Sequence, residues 1–247
     1  MKTVAILIAL LIGAGPARAQ PGLVAPQLGA MLDFDGAVRP VFGVPASVTL
    51  GPRLASGVLS FACSKRQCLM KTDSALASSG GAPFAPVPAG PAIIALDGDG
   101  AFVYFPRSKQ LARWSEGQLD PVPLDVPGEL LSIRAGPPGT IDAAFRRGDH
   151  VWIAHISLAG AGASVTGALP DDTQLVMLIR DGVLFANRET LTLQRADGTE
   201  LKFGLSGPRS AYALGDGYVE IRGTVGNYAL RTDPGRERLF LLPEAAQ

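Results

Sequence analysis

The chain has 247 residues, 22 basic and 22 acidic side chains, a formal net charge of zero and 47% hydrophobic content. That balance excludes an electrostatic nucleic-acid binder, which needs a basic surplus, and wholesale disorder, which needs few apolar residues. With 30 glycines and 20 prolines there is little room for long helices, and turns must be many.

At the N-terminus, Met1-Lys2-Thr3 precede the apolar run Val4 to Ile12 and the small-residue pattern Ala17-Arg18-Ala19, the layout of a secretory signal peptide over residues 1–19. The run is too short for a membrane span, which needs roughly 20 apolar residues. Cleavage after Ala19 would leave a slightly acidic chain beginning at Gln20, because Lys2 and Arg18 depart with the peptide. No later segment is apolar for long enough to span a membrane, so the expected address is secreted or periplasmic.

Beyond it, short alternating or apolar runs bounded by Gly, Pro, Asp or Asn predict strands. The first pair flanks Asp35-Gly36 in AMLDFDGAVRPVFGV and is similar in order to LTLQRADGTELKFGL at Leu191 to Leu205. It reads as an outer hairpin, about residues 30–45, that closes a ring by sharing a blade. Gly57 to Cys63 and Cys68 to Thr72 form the next pair. Cys63 and Cys68 are close enough to bridge across a hairpin, and an oxidising compartment would couple them. Four-coordinate metal binding would need more ligands, and the only histidines, His150 and His155, are far along the chain and five residues apart, on opposite faces of a strand.

Four groups follow. Ala92–Leu96, Ala101–Phe105 and Leu111–Trp114 make the first, and Leu130–Arg134, Ile141–Phe145 and Val151–Ile156 the second. Gln174–Ile179, Val183–Ala186, Leu191–Gln194 and Leu201–Leu205 make the third. Ala211–Leu214, Tyr218–Arg222, Tyr228–Arg231 and Arg238–Leu242 complete the set. The second strands begin at Ala101, Ile141, Val183 and Tyr218, an interval of about 40 residues, and repeats of that length with four strands apiece are the signature of propeller blades. The expected fold is an all-β propeller of five or six four-stranded blades, at about 46–90, 91–127, 128–170, 171–207 and 208–243.

Asp-Gly recurs at Asp35, Asp97, Asp99, Asp181, Asp197 and Asp216, each time between two strand-like runs. A calcium loop would add further acidic or amide ligands, whereas Ala101, Phe102 and Val103 follow Asp97 and Asp99. Hairpin turns are therefore expected, with aspartate and glycine sharing the positive-φ positions.

The repeat spacing and the four-strand grouping resemble those of secreted bacterial β-propeller proteins, over about Ala30 to Pro243. The resemblance is architectural, with neither a WD40 nor a kelch signature, and it implies a binding platform, a hydrolase or lyase scaffold, or a structural subunit.

If the groups are blades, corresponding positions form rings. Arg66, Arg107, Arg147, Arg188 and Arg222 follow what reads as the second strand of each blade, helped by Lys65, Lys109 and Arg146. Together they would make a positive face for an anionic partner: a protein, a polysaccharide or another anionic ligand. Asp97, Arg134, Arg180 and Asp216 end the first strands, where they would line a channel mouth or pair with one another. Trp114 and Trp152 read as blade-packing aromatics. No nucleophile elbow, HExxH or phosphate-binding loop is present, so no catalytic residue, metal site or cofactor is expected. The function that follows is a non-enzymatic binding or interaction module. A calcium-dependent propeller hydrolase or lyase using Asp97 and Asp216, and a structural subunit of an envelope assembly, are the alternatives.

Overall fold

Strand follows strand from Gln27 to Leu241, with no helix among the described residues, in the computed structural model, which describes residues 25–44, 47–79, 87–160, 162–215 and 217–243. The signal-peptide segment and Asp216 lie outside the described residues. No helix among the described residues is long and apolar enough to cross a membrane.

Blade 1 holds β1 (Gln27–Leu32), β2 (Val38–Val44) and β3 (Ser47–Leu50), and blade 2 holds β4 (Ser60–Cys63), β5 (Cys68–Lys71) and β6 (Leu76–Ser78). Blade 3 is β7 (Ile93–Asp97), β8 (Gly100–Phe105), β9 (Gln110–Ser115) and β10 (Gln118–Val122). Blade 4 is β11 (Glu129–Ala135), β12 (Thr140–Arg147), β13 (His150–Ser157) and β14 (Ala163–Leu169). Blade 5 is β15 (Leu175–Ile179), β16 (Gly182–Ala186), β17 (Thr190–Arg195) and β18 (Glu200–Gly204). Blade 6 is β19 (Ser210–Gly215), β20 (Tyr218–Arg222), β21 (Asn227–Arg231) and β22 (Arg238–Leu241). Each sheet is an antiparallel meander, so sequence neighbours are also sheet neighbours.

The six sheets form a closed ring because each buries its faces only against its neighbours. Every junction has its own apolar cluster. Met70, Val38 and Phe61 fill the junction of blades 1 and 2, Leu69, Val103 and Trp114 that of 2 and 3, and Tyr104, Ile133 and Phe145 that of 3 and 4. Val151, Val176 and Phe185 fill 4 and 5, Leu184, Leu193 and Ile221 fill 5 and 6, and Met31, Leu214 and Phe240 join blade 6 back to blade 1. The fold is the all-β propeller that the 40-residue interval predicts.

The N-terminal hairpin does not supply outer strands to another blade. β1 and β2 pair with β3 in a sheet of their own, and this sheet wedges between the last and the second. Its first strand runs in the direction of a second strand: the start of β1 abuts the end of β19, and its end meets the end of β20. Among the described residues blade 1 therefore has no strand in the innermost position, and β19 touches β4 directly, with Tyr212 stacked on Phe61 at a centroid distance of 5.1 Å. The seam is tight at Gly29, where a β-carbon would sit 1.8 Å from the Leu214 carbonyl oxygen, and at Gly215, where one would sit 2.3 Å from the Leu28 oxygen.

The Asp-Gly pairs within the described residues lie at hairpin connections, but aspartate does not take the left-handed position. Gly36, Gly98 and Gly198 have positive φ, and the only non-glycine residues that do among the described residues are Lys109 and Glu116. In the turn after β7 the two central residues are Gly98 and Asp99, since Asp97 pairs with Gly100. Glycine takes the demanding position there and aspartate occupies an ordinary one. Cys63 and Cys68 face each other across the β4–β5 hairpin and are joined by a disulfide.

Candidate functional site

Antiparallel meanders put turns alternately on two faces of the ring. The upper face carries the connections between blades and the turns between second and third strands. The lower face carries the turns between first and second strands. Arg107 in the β8–β9 turn, Arg147 at the end of β12, Arg188 in the β16–β17 turn and Arg222 at the end of β20 share the upper face. Arg107, Arg147 and Arg188 are exposed, and their side chains have no hydrogen-bond or ion-pair partner among the described residues. The Arg107 side chain lies over Gly90, where a β-carbon would come within 2.8 Å of its Nε.

Arg222 is engaged otherwise. Its Nη2 donates to the Asp33 carbonyl oxygen at 3.2 Å, and its guanidinium sits 5.2 Å from the centre of the Phe34 ring. It ties blade 6 to the β1–β2 turn.

Arg66 is separated from the rest. β4 is the innermost strand of blade 2, so the β4–β5 turn lies on the lower face, and Arg66 Nη1 binds Asp99 Oδ1 of the β7–β8 turn at 3.0 Å. The expected five-membered arginine ring is thus split: Arg66 points to the opposite face because FACSKRQC spans first and second strands, not second and third. Among its expected helpers, Arg146 donates to the Thr173 carbonyl oxygen at 2.8 Å, bridging blades 4 and 5, while Lys109 stays exposed in the β8–β9 turn. The upper face is not uniformly positive, because Asp149 and Glu189 share the turns of Arg147 and Arg188, and His150 contacts Asp171 at 2.7 Å.

At the lower mouth, Asp97, Arg134 and Arg180 lie at the ends of β7, β11 and β15. They do not form one cluster. Asp97 pairs with Arg113 at 3.5 Å within its own blade. Arg134 donates Nε to Asp142 Oδ2 at 3.0 Å and Nη1 to the carbonyl oxygens of Ile179 and Arg180, stitching blade 4 to the β15–β16 turn. Asp142 also faces His155 Nδ1 at 2.9 Å. Burial pushes its carboxyl up, but the bonds from His155 and Arg134 outweigh that and hold it below the usual carboxylate range. Arg195 similarly reaches across to the Thr232 carbonyl oxygen and to Glu237, both at 2.5 Å. These arginines staple neighbouring blades together. Among the described residues, no three His, Cys, Asp or Glu side chains converge as a metal site would require.

Two fully buried ionisable side chains carry no signal in the sequence. Lys71 is fully buried, and its ammonium donates to the carbonyl oxygens of Thr72, Asp73 and Gly90 at 2.5, 3.0 and 3.0 Å. Burial pushes its pKa down, with Asp73 pulling the other way. Glu220 is fully buried on β20 at the junction with blade 1. Its Oε2 accepts the Leu32 N–H at 2.9 Å, while Oε1 has no partner among the described residues. Burial raises its pKa to about 8, against the opposing pull of the Leu32 N–H and Arg222. Nothing in YVEIR distinguishes this glutamate from an exposed one, since the strand alternation alone does not say which face a neighbouring sheet covers.

No family model and no curated protein sequence matches the chain. Solved structures do. A chain of the nidogen/laminin complex aligns with a TM-score of 0.62 at 14% identity, covering 87% of this chain and 93% of that one. PorZ, an essential bacterial surface component of the type-IX secretion system of Porphyromonas gingivalis, aligns with a TM-score of 0.52 at 13% identity, covering 88% of this chain and 31% of that one. At these identities the likeness shows the propeller fold alone.

Proposed function

We propose that this chain is a secreted or periplasmic propeller acting as a non-enzymatic binding module, whose upper face engages an acidic protein surface through Arg107, Arg147 and Arg188. The observation that carries this reading is the repetition of an exposed, unengaged arginine in corresponding turns of three successive blades. Ordinary structural arginines in this chain are committed to staples, as Arg134, Arg195 and Arg222 are. A guanidinium offers five donors in a fixed fork that matches a carboxylate, so three of them along one face suit a row of Asp or Glu. The Cys63–Cys68 disulfide supports an oxidising compartment. The nidogen/laminin complex and PorZ support the reading at fold level, as propellers of a protein complex and of a bacterial surface component.

The whole molecule is close to neutral, so attraction must be local and short-ranged; at physiological salt the Debye length is about 8 Å. Retention on a sulfonate cation-exchange matrix at low salt tests it. The triple variant Arg107→Glu, Arg147→Glu, Arg188→Glu should keep its fold, because turn side chains lie outside the blade junctions, and should lose retention. Wild-type retention should fall steeply as salt rises. Equal retention of the variant and the wild type would refute the proposal.

A further inference from the structure

Blade 5 has two unlike faces. Toward blade 6 it is apolar out to its edge: Leu184, Leu191 and Leu193 are fully buried, and Leu201 and Phe203 of the outer strand continue the packing. Toward blade 4 only the inner half is apolar, with Val176, Val183 and Phe185 packed on Val151 and Leu169. The register then places Thr192 opposite Phe185 on one side and Lys202 on the other, so the outer half of this face is polar. A cleft of about 200 Å³ remains, roofed by Pro170, Asp172 and Thr173 of the connection from blade 4.

Two side chains of this cleft lack protein partners although they are more than nine-tenths buried. Thr173 is 3% exposed and Thr192 is 4% exposed; the Thr173 hydroxyl is sealed away without a partner, whereas the Thr192 hydroxyl, also without a protein partner among the described residues, stays open to the cleft. A ligand that takes the place of water at the Thr192 hydroxyl gains a hydrogen bond there. Around them stand Asp172, held by the Asn187 amide at 3.1 Å, and Glu200, 3.5 Å from Lys202. Two carboxylates against one ammonium disfavour an anion. The mixture of acceptors, donors and hydroxyls calls for a ligand whose every polar group both donates and accepts. Pro170 and the edge of Phe185 offer an apolar patch beside these groups. The volume is below the 300–1,000 Å³ of pockets for drug-sized ligands, so the occupant has roughly a dozen heavy atoms.

We propose that the cleft on the outer half of blade 5, beneath the connection from blade 4, binds one neutral sugar residue, its hydroxyls satisfied by Thr192, Asp172 and Glu200 and its C–H face set against Pro170. The cleft is bordered by Asn187 and Thr190, which flank Arg188 in the β16–β17 turn, but none of its test variants replaces an arginine, so the two readings fail separately. Saturation-transfer NMR on the full chain uses glucose, galactose, mannose and N-acetylglucosamine, with glucuronate as the charged comparison. At least one neutral sugar should show transfer. Thr192→Val, which removes the hydroxyl and keeps the shape, should weaken its binding ~3–10-fold, the value of one hydrogen bond, with an unchanged melting temperature. Asp172→Asn should weaken it as well. Thr190→Val at the more open rim provides the same readout if the Thr192 variant does not fold. No transfer from any of the four sugars, transfer only from glucuronate, or binding unaltered in every variant would each overturn the proposal.

Discussion

Replacing Glu220 with glutamine should make the stability of the protein far less sensitive to rising pH. The carboxyl is fully buried between blade 6 and blade 1, with only the Leu32 N–H to stabilise a negative charge and Arg222 at a distance. Its folded pKa of about 8 stands against an ordinary 4.5, so across that window the folded protein holds a proton that the unfolded chain has released. Stability from this group is fully present below pH 4.5 and is lost as pH rises through 8. At ~1.4 kcal/mol per pH unit the whole loss is roughly 5 kcal/mol, of which ~2–3 kcal/mol falls between pH 5 and 7. The amide of Glu220→Gln keeps an acceptor for the Leu32 N–H and cannot ionise. Urea unfolding of both proteins at pH 5, 7 and 9 gives the readout, and taking the difference between them cancels the contributions of Lys71 and Asp142. The variant should be comparable to the wild type at pH 5 and increasingly more stable above it. A difference that stays flat from pH 5 to 9, or a variant that loses ground as pH rises, would mean that Glu220 is ionised in the folded state and would refute the reasoning.

Two further outcomes test the closure of the ring and the disulfide. Gly29→Ala would place a methyl 1.8 Å from the Leu214 carbonyl oxygen at a φ of +153°; the backbones of β1 and β19 must part, so a loss of more than ~3 kcal/mol is expected by urea titration. The same substitution at Gly198, whose β-carbon would meet nothing within 4 Å, should cost only the ~1 kcal/mol of a left-handed residue. The Cys63→Ala, Cys68→Ala double variant opens a loop of five residues' separation and should lose about 2 kcal/mol by the chain-entropy relation. Alkylation without reductant followed by intact-mass measurement should modify no thiol in the wild type, and two modified thiols would contradict the bridge.

How far the arginines could be placed from sequence shows where local information ends. The 40-residue interval fixes the frequency of the repeat, and in blades 3 to 6 it also fixed the phase, since Arg107, Arg147, Arg188 and Arg222 share the upper face. In blade 2 the interval places the phase one strand out, because β4 is the innermost strand. First and second strands are both short and apolar, and SFAC, with all four residues buried, looks like either. Only the packing of β4 against β7 and β19 shows that it is innermost, which turns Arg66 to the lower face.

The sequence by itself determined what depends on neighbours along the chain. Alternation with a period of two gave the inner and middle strands, glycine and aspartate gave the hairpins, and two nearby cysteines gave the bridge. It missed β3, β6, β10 and β14, because outer strands such as QLDPV and ASVTGAL are largely exposed and carry no apolar face to mark them. Tertiary structure alone decided which blade face is covered, and with it the burial of Lys71 and Glu220, the separate first sheet and the polar cleft beside Thr192. A charged residue in a strand looks the same to its chain neighbours whether its side faces water or another sheet. The cost or gain of that placement arises only when the sheets close the ring.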